Sequence, residues 1–76
     1  MNKAKRDSLR SALAMLNNVV GIVESVCDKE QDCLDNYPEN LQNSERFEKV
    51  ESAVDSMNDA LDNLSAAQEC ILATIS

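Results

Sequence analysis

The chain predicts an all-α fold, a two-helix antiparallel hairpin of coiled-coil type that assembles into a helical bundle. Three observations predict it. The 76 residues include one Gly, one Pro and two aromatics, which argues against strands and turns, while Ala, Leu, Glu, Lys, Gln and Met favour helix. Apolar residues recur three and four apart over two long stretches, with a single Pro-containing segment between them. A chain this short builds only a marginal core, so it needs disulfides, metals or partners.

The first helix is expected over residues 3–34. Its apolar residues form heptad columns. Leu9, Leu16 and Val23 make the first; Ala12, Val19, Val26 and Cys33 the second; Leu13, Val20, Cys27 and Leu34 the third. Met15 and Ile22 add a fourth. The first two columns together alternate three and four residues apart, the spacing of a coiled-coil seam, and are expected to face the second helix. At ~100° per residue all four columns span roughly half the helix circumference. One partner helix covers a narrower seam, so more than one neighbour is expected.

A connection follows over residues 35–43, DNYPENLQN. Pro38 cannot continue a helix and disfavours the α region at Tyr37. Asn36, Asn40 and Asn43 are turn or capping residues. The second helix is expected over 44–75, with Ser44 or Asn43 as N-cap and Glu45 favourable against the helix dipole. Its seam runs Phe47, Val50, Val54, Met57, Leu61, Leu64, Ile71 and Ile75, interrupted only by Gln68. Ala53, Ala60 and Ala67 lie beside that seam, and Glu48, Asp55, Asp62 and Glu69 lie on its other side, thickened by Glu51 and Asp59. The short loop makes the helices antiparallel neighbours within one domain, residues 1–76. Lys3, Lys5, Arg6 and Arg10 sit badly at the N-terminus of their own helix. The hairpin is expected to bring them to Asp62 or Glu69.

Composition excludes several function classes. There is no His, and Cys27, Cys33 and Cys70 form no CxxC, so no zinc or catalytic pattern is present and no metal or cofactor is expected. The odd cysteine count and the long Cys27–Cys70 separation predict free thiols. The basic start lacks the apolar run of a leader peptide, and no stretch approaches the ~20 apolar residues of a membrane span. A net charge of −7 argues against nucleic acid and anionic membranes as partners. With no nucleophile beside a base and no cleft for paired carboxylates, the chain reads as a non-enzyme.

Two surfaces are candidates for binding a partner. In the loop region, Tyr37, Asn40, Gln42 and Arg46 gather an aromatic ring, two amides and a guanidinium, types common at binding hot spots. The competing account has Tyr37, Leu41 and Phe47 sealing the end of the bundle. On the second helix, Asp55, Asp59 and Asp62 present carboxylates roughly one turn apart, a spacing suited to a basic, nucleic-acid-binding channel. The bland alternative is a solvated face that keeps an oligomer soluble.

The stretch from Glu30 to Asp62 carries a recurrent pattern: Glu30-Gln31, Leu34-Asp35-Asn36, Pro38-Glu39-Asn40-Leu41-Gln42, Ser44-Glu45-Arg46 and Ala53-Val54-Asp55. It resembles small helical-hairpin proteins encoded by phages and prophages of gut and Gram-positive bacteria. The resemblance covers about half the chain and is most specific in the loop. It brings no catalytic residue or cofactor with it. It implies a mobile-element accessory protein acting in the bacterial cytoplasm. The resulting expectation is a dimer or higher oligomer that binds a host or phage protein. Counter-defence in the manner of an anti-CRISPR or DNA-mimic inhibitor is one version. An oligomeric sponge for a nucleotide immune signal and a purely structural assembly protein are the alternatives.

Overall fold

The computed structural model describes all 76 residues. Helix α1 runs Lys3–Asp35 and helix α2 runs Glu45–Ile75, with a one-turn 3-10 helix, Glu39–Leu41, between them. There are no strands, and the two helices pack against each other as a hairpin.

Each helix end has a local cause. Asn2 caps α1, its Oδ1 accepting from the Lys5 N–H at 2.9 Å. That bond compensates for a first turn with no acidic residue. At the other end the Asn36 side chain and backbone N–H both donate to the Asp32 carbonyl, at 2.8 and 3.1 Å. Tyr37 N–H then donates to the Leu34 carbonyl and Pro38 turns the chain out in an extended conformation. The Pro38 carbonyl accepts from Leu41 to close the 3-10 turn, and Leu41 in turn accepts from Ser44. Ser44 is the N-cap of α2, its hydroxyl accepting from Phe47 N–H at 3.1 Å. Glu45 and Glu48 in that first turn suit the positive end of the helix dipole.

The seam of α2 is the one its spacing predicts. Phe47, Val50, Val54, Met57, Leu61, Leu64, Gln68, Ile71 and Ile75 are all buried or half-buried. The seam of α1 differs from the expected one. Leu9, Leu13, Leu16, Val20, Val23, Cys27 and Leu34 face α2, so columns one and three form the seam. Val19 and Val26 of column two stay 41% and 44% exposed. Both column pairs obey three-four spacing, but column three carries Leu13 and Leu34 where column two carries Ala12 and Cys33. The bulkier pair removes more apolar area from water.

The result is a rod of 59 × 15 × 14 Å with a radius of gyration of 17.3 Å. A compact chain of this length would have a radius near 11 Å. Only Cys27 and Val54 are buried. No helix is long and apolar enough to cross a membrane.

Candidate interaction surfaces

The seam leaves one apolar stripe of α1 uncovered. Met15 and Ile22 are 66% and 64% exposed, and with Val19 and Val26 they repeat at intervals of four, three and four. At ~100° per residue, the centre of this stripe lies about 110° around α1 from the centre of the seam. That is close to the angle between the two contacts each helix makes in a four-helix bundle. From Ser11 to Val26 the only charged residue is Glu24. Its position on the wheel is nearly opposite the stripe.

The same helical geometry sorts α2 into two sides. Ala53, Ala60 and Ala67 fall on the stripe's side of the hairpin, where Ala60 is half-buried and the other two are exposed. The opposite side holds a shallow, solvent-open depression of about 260 Å³ between the helices, lined by Leu13, Asn17, Ser65, Gln68, Glu69 and Leu72. Gln68 Nε2 donates to Asn17 Oδ1 there at 2.8 Å. One face of the rod is therefore apolar and neutral, while the other is polar.

The predicted carboxylates belong to the polar side and the outer edge of α2. Asp55, Asp59 and Asp62 are all exposed, and none forms an ion pair. The only ion pairs in the chain are Arg10–Asp7 at 3.0 Å and Lys49–Glu45 at 3.6 Å, each within one helix. The expected meeting of the N-terminal cations with Asp62 or Glu69 does not occur.

At the loop end, Tyr37 is half-buried and its ring packs against Phe47 at 5.2 Å between centroids. Asn40 sits in the 3-10 turn, and Asn40, Gln42 and Arg46 are exposed. Tyr37 thus serves the packed end, with the three polar residues around it in solvent. Nine residues of helix, roughly 13 Å of rise, separate Arg46 from Asp55. The loop and the acidic triad are therefore two surfaces rather than one.

Sequence reasoning did not single out Met15, Val19, Ile22 and Val26 as a surface of their own. Their heptad columns are visible in the sequence, but the three-four spacing fits Val19 and Val26 equally well to the hairpin's own seam. The three cysteines are free, Cys27 buried and Cys33 and Cys70 exposed. No cluster of His, Cys, Asp or Glu is placed to hold a metal ion. No family model, curated protein or solved structure matches this chain.

Proposed function

We propose that this chain is a non-enzymatic phage or prophage accessory protein that oligomerises and acts by binding another protein. The observation that carries the reading is the uncovered stripe Met15, Val19, Ile22 and Val26, set at coiled-coil spacing on a hairpin with only two buried residues. Such a rod is an incomplete bundle, and a contiguous apolar face of this kind is characteristic of interaction sites. The loop pattern from Pro38 to Arg46 supports the mobile-element setting.

The test is sedimentation equilibrium at micromolar concentration alongside capture on immobilised protein. Self-association, together with capture of a specific protein by the wild type, is expected. A folded monomer with no stripe-dependent partner would overturn the reading.

The acidic side of α2 favours a counter-defence version, in which Asp55, Asp59 and Asp62 dock onto a basic nucleic-acid channel of the captured protein. These carboxylates lack basic partners within the chain. Binding of this kind weakens steeply with salt and is lost when all three become Asn. Salt-independent capture by the triple variant would exclude it.

A further inference from the structure

We propose that the stripe is covered by a second copy of this chain, with the two α1 helices packed antiparallel about a two-fold axis between Val20 and Gly21. The inference rests on the reading above that the stripe is an interaction face, and it names the occupant and the register.

Three observations choose a second copy. The first is area. The hairpin exposes 5564 Å². A compact monomer of 8.4 kDa would expose about 4,600 Å². The excess of roughly 950 Å² is close to the ~800 Å² that each partner contributes to a standard stable interface.

The second observation is charge. Each chain carries −7, so most ways of joining two copies place like charges together. The stripe face avoids this, because its centre is neutral and the carboxylates of α2 lie on the other side. Ala53, Ala60 and Ala67, on the same face, let the second pair of helices approach closely.

The third observation fixes direction. Helix α1 is charged against its own dipole at both ends. Lys3, Lys5, Arg6 and Arg10 stand at its N-terminus, and Asp28, Glu30, Asp32 and Asp35 lead to its C-terminus. Within the hairpin this conflict is unrelieved, since the only ion pair of these cations is Arg10 with Asp7 in the same helix. An antiparallel copy resolves both ends at once. With the axis between Val20 and Gly21, Val19 packs against Ile22 of the second copy and Met15 against Val26 of the second copy. In the same register Arg6 comes level with Asp35 of the second copy and Arg10 lies one residue from Asp32, but these side chains point away from the contact, so the match is between oppositely charged helix ends and not between ion pairs. The apolar match sets the register, and the opposite charge of the two helix ends favours the same antiparallel direction.

Sedimentation equilibrium of the wild type and three variants tests this, with far-UV circular dichroism on each. The wild type is expected to be a dimer at micromolar concentration. Val19→Glu with Ile22→Glu should raise the dimer Kd at least 100-fold. At low ionic strength Arg6→Glu with Arg10→Glu should raise it about threefold without loss of helix content, because these charges act through solvent on the acidic helix end of the second copy and acids at a helix N-terminus favour the helix. Adding Asp32→Arg and Asp35→Arg to that variant should restore the wild-type Kd. A monomeric wild type, or a trimer or tetramer, overturns the proposal. So does a dimer indifferent to Val19→Glu with Ile22→Glu. A dimer that depends on the stripe but is not restored by the paired charge reversal overturns the antiparallel register, and leaves the stripe as an interaction face.

Discussion

Tyr37 meets Phe47 edge to face across the closed end of the hairpin, with ring centroids 5.2 Å apart and ring planes at 78°. The contact joins a residue just after α1, at the start of the connection, to the first turn of α2. An edge-on aromatic pair contributes ~0.5–1.5 kcal/mol beyond its area burial. Tyr37→Ala should therefore destabilise by about 1–2 kcal/mol, whereas Tyr37→Phe, which keeps the ring, should change little. Thermal melts of the two variants decide it, and equal melting temperatures would show that the pair contributes nothing to the fold.

Gln68 is the one polar residue in the α2 seam, and its hydrogen bond to Asn17 is exposed. An exposed neutral bond contributes little net stability. Replacing Gln68 with Leu extends the apolar seam while Asn17 turns to solvent, so Gln68→Leu should stabilise by roughly 1 kcal/mol. Urea denaturation checks this. A loss of stability would mean that the Asn17–Gln68 pair fixes the alignment of the helices, a role polar seam residues have in coiled coils.

Gly21 stands in the middle of α1 with no atom within 4 Å of where a Cβ would lie. Its backbone is helical, so Ala fits without strain. Gly21→Ala should stabilise by ~0.8–1.0 kcal/mol. In a domain of this size that is about 4–8 °C in melting temperature. An unchanged melt would indicate a neighbour at this position that the isolated hairpin does not contain.

The thiols should separate by burial. Cys27 is 7% exposed, and its Sγ donates to Asn58 Oδ1 at 3.6 Å. Cys33 and Cys70 are exposed. A thiol-reactive chromophore should label two cysteines rapidly and the third only as the hairpin opens. Three equal rates would contradict the packing of Cys27 against α2.

Much of this fold is legible in the sequence because each step has a local signal. Pro38 ends one helical stretch, Ser44 caps the next, and Phe47 to Ile75 contain only one admissible seam. Helix α1 was ambiguous because it carries four apolar columns, and two different pairs of them satisfy the same spacing. A discriminating signal was present in the loop. Extending column one by two heptads from Val23 passes through Glu30 to Tyr37, and column three ends at Leu34, so these two lead into the aromatic closure. Column two leads past Cys33 to Asn40, which has no apolar surface to continue it. The candidate site was less legible for a different reason. Spacing locates apolar and acidic faces, but which of them remains open depends on which one the partner helix takes.

The position of the two buried residues has a consequence for how the rod breathes. Cys27 and Val54 both lie in the loop half, and the termini lie at the far end with half-exposed contacts only. Opening therefore starts at the free ends and runs toward the loop, as a zipper does. Amide hydrogen exchange will be slowest around Cys27 and Val54 and grade to fast toward Lys3 and Ile75, because local opening free energy follows the density of buried apolar contacts. Refolding reverses the order. Closing the short connection costs little chain entropy, and the hairpin grows from there by contacts between residues ever farther apart in sequence.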